Sequence, residues 1–459
     1  MIFLLGVAFS LVAGCLAVSS WVATLLLLGC LVLYLLHYVR VDTKPLMLAA
    51  GVLQRSCFAM PGYLAAVSVV ALPAMGLRRW RRPFRKLESG LVLALVLYTC
   101  VSLYLRAAVE QDQFVFPDIL ATSGPTFYKY IAHALVLYLV LALGLRTRRQ
   151  ARHCIDGYVI ATFALALVAF YQQMQGHNDL LRYYYAQATP SASLLQPDFT
   201  RITSVLRDSN HLGNFLVVGI LLMWGRVHER VGFLRRLSVF AFMIVSSMAL
   251  FFSLSFTNWI SLGIGLLVLL SLRRGWLHAG GVMAVLVLLV ATFGLHGSLT
   301  PRLTPSILDK ATSLVQGDLS PNGPLGIRAA LASASLHMLR SSPLLGVGYG
   351  AFQAHAGSDE ALMRLTRNIV YAHNSFLLVL AELGIIGFLL LLAMLGVHLR
   401  LLVRLARSCD PEYSAIGAAL VAAFAAALIY EATYGSLLYD VPLWTVLGLG
   451  TGLRSLEAR

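Results

Sequence analysis

The sequence predicts an all-α, polytopic membrane protein, and three observations carry that prediction. Of its 459 residues 59% are hydrophobic and only 12% charged, with a mean hydropathy of +0.79. Apolar runs long enough to cross a bilayer as helices recur from end to end, whereas barrel strands would show short alternating segments. The charges gather in basic blocks between these runs: Arg78–Lys86, Arg146–Arg152, Arg226–Arg236, Arg273-Arg274 and Arg400–Arg407. That placement is the positive-inside pattern, which marks those turns cytoplasmic. The net charge of +15 therefore reflects topology and does not point to a nucleic-acid partner. Cys15, Cys30, Cys57, Cys100, Cys154 and Cys409 lie in or beside apolar runs, in neither metal nor disulfide spacing, and read as packing residues.

The elements follow from these runs. Residues 2–18 and 21–38 form a hairpin of two spans; Met1–Val18 lacks a charged n-region and reads as a span, not a cleaved signal. The stretch 46–77, broken at Pro61-Gly62, is too long for one ordinary span, and its second half enters the basic turn 78–86. Residues 87–105 cross outward, 131–145 return, and 154–171 cross outward again. The outer loop 172–211 carries Tyr183-Tyr184-Tyr185, typical of an interfacial belt, together with Arg201 and Arg207. Spans follow at 212–225, 237–254, 257–272 and 279–296, then a large outer segment, 297–372. A helix after His373, a span near 415–430 and a last span to about residue 453 complete a single transmembrane domain over 1–459. The expected total is about 12–14 transmembrane helices.

One stretch, Tyr371-Ala-His-Asn-Ser-Phe through Glu382-Leu-Gly-Ile-Ile-Gly387, organises the chain. His373 places a ring that exchanges a proton near neutral pH where water meets lipid. Asn374 suits the helix N-cap. Glu382 lies roughly 13 Å deeper at 1.5 Å per residue. An intramembrane carboxylate is either functional or paired, and Glu382 is expected to hold an arginine or a tyrosine. Gly384 and Gly387 would let another helix approach. Upstream, the glycine-rich Pro343–Gly350 is expected to bring backbone N–H groups near an anion.

Arginines on the outer side break the positive-inside rule and are the informative charges. Arg201 and Arg207 precede a span, and 297–372 holds Arg302, Arg328, Arg340, Arg364 and Arg367. Guanidinium binds phosphate oxygens as a bidentate fork, which suits an anionic lipid diphosphate. A solvated loop arginine is the plainer alternative for any one of them.

Three stretches together resemble the bacterial O-antigen ligase and O-antigen polymerase superfamily over roughly residues 200–390. In the first, Arg201 is followed nine residues later by Asn210, at the opening of a span. In the second, Arg328 precedes Pro343-Leu-Leu-Gly-Val-Gly by fifteen residues. The third is Ala372-His373-Asn374-Ser-Phe with Glu382-Leu-Gly-Ile-Ile-Gly. The chain departs from the pattern where the family often has Ser-Arg opening a span and it reads Thr257-Asn258. A pyrophosphate-binding arginine is absent there, and Asn258 can only hydrogen-bond.

The resemblance implies an inner-membrane glycosyltransferase with its site facing the periplasm, most like an O-antigen ligase. It would move a glycan from an undecaprenyl-diphosphate-linked donor to a hydroxyl of the lipid A-core acceptor. His373 would be the general base, with Arg201, Arg328 and Arg207 on the diphosphate and Asn210, Asn374, Glu382 and Asn258 in support. A base with the ordinary imidazole pKa would give activity rising with pH near about 6–7. Neither cofactor nor metal is required, since arginines can neutralise the leaving diphosphate, and a single displacement inverts the anomeric centre. A metal-dependent alternative would use Glu110 and Asp112. An O-antigen polymerase or a protein O-oligosaccharyltransferase would need the same base and diphosphate site. A lipid or solute transporter would instead line several spans with charge at mid-depth.

Overall fold

The computed structural model describes residues 87–109, 135–175, 202–204, 206, 208–226, 233–273, 324–357, 372–434 and 437–457. All regular structure among the described residues is helical, as expected for an all-α polytopic membrane protein. The helices are α1 (Leu87–Val109), α2 (Val136–Gly144), α3 (Arg148–Gln175), α4 (Ser209–Arg226), α5 (Phe233–Phe252) and α6 (Phe256–Arg273). After them come α7 (Pro324–Ser341), α8 (Phe352–Gly357), α9 (Ser375–Ala406), α10 (Pro411–Glu431) and α11 (Val441–Glu457). Five of the described helices are long and apolar enough to cross a bilayer: Leu87–Leu105, Arg148–Gln173, Phe256–Arg273, Ser375–Ala406 and Pro411–Glu431. Ser209–Trp224 and Ala241–Phe252 are shorter apolar helices. The expected spans at 2–77 and 279–296 lie outside the described residues.

The bundle is built around α10, whose sequence explains why. Pro411-Glu-Tyr-Ser-Ala-Ile-Gly-Ala-Ala-Leu-Val-Ala-Ala-Phe-Ala-Ala-Ala carries small side chains on every face, so its neighbours can approach closely all round. It packs against α4, α6, α9 and α11, and 72% of its span is buried. Gly417 lets the backbone of Leu405 and Ala406 lie directly on α10, which closes the α9–α10 hairpin. Asp410 caps α10 by accepting from the N–H groups of Glu412 and Tyr413, and Pro411 begins the helix where no N–H is needed. The α2–α11 contact uses the same device, because Gly448 and Gly452 make room for Tyr138, Leu141 and Leu145. Large apolar side chains that remain exposed, among them Leu97, Val101, Leu389 and Leu392, lie on the transmembrane helices α1 and α9, where a membrane would cover them.

Two ends of the bundle can be told apart. Arg148 pairs with Asp410 at 2.5 Å and stacks over the Tyr413 ring at 4.4 Å, and Arg152 pairs with Glu412. These exposed pairs contribute little stability. They do hold the first turns of α3 against the start of α10 at one end. The sequence predicted a turn over 146–153, whereas the helix already begins at Arg148. Its first turns carry arginines that belong in water, so the helix extends beyond the apolar run. The starts of α4, α6, α9 and α11 and the end of α10 meet at the opposite end.

Helix α7 is two-faced. Ile327, Leu331, Ala334 and Met338 recur at helical spacing and pack on Ala372, Leu378 and Ala381 of the α9 region. Arg328 lies on the exposed side.

Candidate active site

The scaffold of the site is a break in α9. Gly384 has φ 64° and ψ −169°, a backbone conformation that is essentially restricted to glycine. The break disrupts the helical ladder. The carbonyls of Ala381 and Glu382 accept instead from the N–H groups of Val347 and Gly348, each at 3.0 Å. The Leu383 carbonyl accepts from the Tyr98 hydroxyl of α1 at 3.1 Å. On the other side, Ile385 N–H donates to Pro343 O at 2.9 Å and Ile386 N–H to Leu344 O at 3.3 Å. Loop 343–348 thus replaces the missing turn, as a bilayer environment demands of every backbone polar group.

This interlock corrects two sequence expectations. The N–H groups of Pro343–Gly350 do not form an anion nest. Gly346 donates to Ser342 O, Val347 and Gly348 to α9, and Tyr349 to the Ser102 hydroxyl at 3.1 Å. Gly384 serves the kink and not a helix crossing: a Cβ there would sit 2.5 Å from the Leu344 carbonyl carbon. Gly387 does admit a helix, since the Tyr98 ring of α1 lies over it. Glu382 is buried, and its carboxylate accepts from the Phe352 N–H at 3.1 Å, holding the start of α8.

The kink holds the α7–α8 layer against the start of α9, where His373 sits. Asn374 caps that helix by accepting from the N–H groups of Phe376 and Leu377, both at 3.0 Å. His373 itself has a positive φ of 48°, an uncommon state for a non-glycine residue that needs surrounding contacts to hold it. Ser375 supplies them. Its hydroxyl hydrogen-bonds to the fully buried Glu431 carboxylate and to Tyr434 O at 3.0 Å, and accepts from Leu437 N–H at 3.1 Å. The chain on which His373 rides is therefore pinned to the α10–α11 connection. Asp440 is similarly occupied, accepting from Asn214 Nδ2 and from Leu443 N–H, each at 2.9 Å, at the start of α11.

His373 is half-buried, and among the described residues its ring has no hydrogen-bond partner. Burial lowers its pKa from the ordinary 6.5, the nearby Arg328 charge lowers it further, and Asp208 pulls the other way. These shifts place Arg328 and Asp208 in electrostatic range of the imidazole. Arg328 is exposed to solvent but surrounded by enough protein for desolvation to lower its pKa. It stays charged at neutral pH and has no carboxylate partner among the described residues. A guanidinium without a carboxylate partner among the described residues, in electrostatic range of a neutral imidazole, can bind an anion while the ring accepts a proton.

A wall of rings flanks His373, and sequence reasoning missed most of it. Tyr434 meets His373 edge-on at 5.9 Å and His211 at 5.1 Å, and stacks on Tyr430 at 5.5 Å. The Tyr430 hydroxyl lies 3.0 Å from His211 Nδ1. The available signal was Tyr430 and Tyr434, four residues apart at the end of a span and flanking Glu431.

The other candidates separate from this centre. Asn258 is fully buried, and its Nδ2 donates to Asn210 O at 2.8 Å and to the Ser255 hydroxyl at 2.7 Å. Gly213 makes room for it, so the pair clamps α6 to α4. Asn210 accepts from the Ser255 hydroxyl at 2.8 Å and helps hold the same junction. Arg201, Arg207, Glu110 and Asp112 lie outside the described residues. Among the described residues no group of three His, Cys, Asp or Glu side chains is arranged to hold a metal ion.

Residues 240–392 match the family model described as O-antigen ligase. Over that segment the chain is similar to the O-antigen ligase family. The match supports membership of the O-antigen ligase and polymerase superfamily, and a search of curated proteins found no match. The matched segment includes Asn258, Arg328, His373, Asn374 and Glu382. It ends before Glu431 and Tyr434 and begins after His211, so the ring wall is completed by parts of the chain that flank it.

Proposed function

We propose that the protein is an inner-membrane glycosyltransferase that moves an O-antigen glycan from undecaprenyl diphosphate to a hydroxyl of lipid A-core at the periplasmic face. The observation that carries this reading is His373, half-buried and lacking a hydrogen-bond partner among the described residues, with the Arg328 charge in electrostatic range of it at the end opposite the basic turns.

The chemistry follows from that pair. The acceptor hydroxyl attacks the anomeric carbon as its proton passes to a His373 ring nitrogen. The bond from that carbon to the diphosphate oxygen breaks, and the electron pair leaves with the diphosphate. Its growing charge is offset by Arg328, with Arg201 and Arg207 as further candidates. The imidazolium that forms is repelled by Arg328, which favours release of the proton to water and resets the base. One displacement inverts the anomeric centre, and the step needs no metal.

The test is a deletion strain examined by lipopolysaccharide gel. Loss of the whole O-antigen ladder with accumulation of lipid-linked glycan supports a ligase. A core bearing a single repeat would indicate the polymerase reaction, and an unchanged ladder would refute both.

A further inference from the structure

The chain that carries α7 and α8 descends along α9 and returns to the same end. Arg328, in the second turn of α7, is in electrostatic range of His373 at the head of α9. Past the end of α7, the carbonyls of Pro343 and Leu344 accept from Ile385 and Ile386, beyond the α9 kink. The chain then turns, with Val347 and Gly348 donating to Ala381 O and Glu382 O and Phe352 held by the Glu382 carboxylate. Helix α8 packs on both α7 and α9, and Ala372 is again beside His373. Irregular backbone survives at membrane depth only where protein pairs its polar groups, and α9 pairs this turn on both sides.

Helix α9 supplies the depth scale. Its 32 residues rise about 48 Å at 1.5 Å each, more than the ~30 Å of a hydrocarbon core. Exposed Arg400 marks the basic end, and Gly384 lies about 24 Å from it along the helix. A core of about 30 Å measured from Arg400 therefore extends about 6 Å beyond Gly384. The tip of the turn, Leu344 and Leu345, sits at that level and is 61% and 48% exposed. Its partners Ile385 and Ile386 are also exposed, as is Leu389 below them. One apolar surface thus runs from the tip onto the membrane face of α9. Arg340, one turn above the tip, is exposed and forms no ion pair among the described residues. At the edge of the hydrocarbon such a side chain lays its stem on apolar surface and its charge among lipid phosphates.

We propose that residues 324–357 form a re-entrant hairpin docked on bilayer lipid, with Leu344 and Leu345 among the acyl chains and Arg340 at the phosphates. In water, adjacent exposed leucines at a turn forfeit their burial, whereas acyl chains cover them as they cover Ile385, Ile386 and Leu389. The contact goes beyond the glycosyl-transfer reading and shares no residue with the proposed base and diphosphate site.

The test uses the full chain in lipid nanodiscs, with its six cysteines replaced by alanine and single cysteines introduced. Ala329→Cys, exposed near the level of His373, should react at once with a charged maleimide. Leu344→Cys, and Leu389→Cys on α9 as the control, should react only after detergent is added. Bimane attached at 344 or 389 in detergent and returned to the bilayer should lose intensity when the acyl chains carry bromine. Bimane at 329 should not. At Arg340→Cys, a nitroxide on the lipid headgroup should quench more strongly than chain bromine, and the reverse order would overturn the assigned depth. Reaction at 344 as rapid as at 329 would place the tip in water and overturn the hairpin. Protection at 344 without quenching would mean that protein, another segment or a second copy, covers the tip, and would overturn the lipid contact. If the chain without its cysteines does not fold, a diazirine-bearing residue at 344 of the native chain decides the same question: lipid adducts support the contact, and protein or water adducts alone overturn it.

Discussion

Replacing Gly384 by alanine should dismantle the scaffold that carries the site. Alanine at φ 64° and ψ −169° costs about 1–3 kcal/mol in backbone strain alone. Its Cβ would lie 2.5 Å from the Leu344 carbonyl carbon, and backbone cannot rotate aside as a side chain can. Loop 343–348 would have to move, breaking some of the four hydrogen bonds that join Val347, Gly348, Ile385 and Ile386 across the kink. Each buried backbone group left without a partner costs about 1–3 kcal/mol, so losing two brings the total to about 3–9 kcal/mol. Thermal unfolding of the purified protein in detergent, followed alongside transfer activity, reads this directly. Gly384→Ala should melt well below the wild type and lose activity, and Gly346→Ala should do the same from the other side. A Gly384→Ala protein with wild-type melting and activity would refute the interlock.

Other outcomes follow from the same contacts. With His373 as the proposed base, its neutral ring is the active form, and because its pKa is lowered, transfer should rise with pH through an ionisation below 6.5 and level off by neutral pH. That position departs from the ordinary imidazole value expected from sequence, because burial and Arg328 both disfavour the cation. Arg328→Ala should move the ionisation up and Asp208→Asn should move it down; shifts in the opposite directions would contradict the assigned geometry. Glu431→Ala should destabilise the protein by about 1–3 kcal/mol and depress turnover by releasing Ser375, whereas Glu431→Gln, which still accepts a hydrogen bond, should retain most of both. Activity should survive EDTA, and Glu110→Ala with Asp112→Ala should change it little; collapse on chelation with rescue by Mg²⁺ would favour the acidic pair.

The sequence made the local features readable and the remote pairings not. Apolar runs located α1, α4, α5, α6, α10 and α11 to within a few residues, because span length is set by the bilayer. Asn374 was recognisable as a cap, since capping is a short-range rule. Gly346 and Gly384 were visible only as separate glycines, and each suggested a local use, as an anion nest or a helix crossing. Their actual role is mutual, between segments far apart in the chain, and no periodicity encodes it. Asn258 stood where the resemblance led one to look for an arginine, but the space that buries it comes from Gly213 on another helix. Tyr430 and Tyr434 drew no sequence reading, and only the bundle brings them against His211 and His373.

The central claim is that His373 is the general base, and its most direct test is the turnover of His373→Ala with purified undecaprenyl-diphosphate-linked glycan and lipid A-core. Positioned base catalysis is typically worth about 10²–10⁴ in rate, so turnover should fall by that order while donor binding stays nearly intact. If His373→Ala keeps most of its turnover, His373 is not the base.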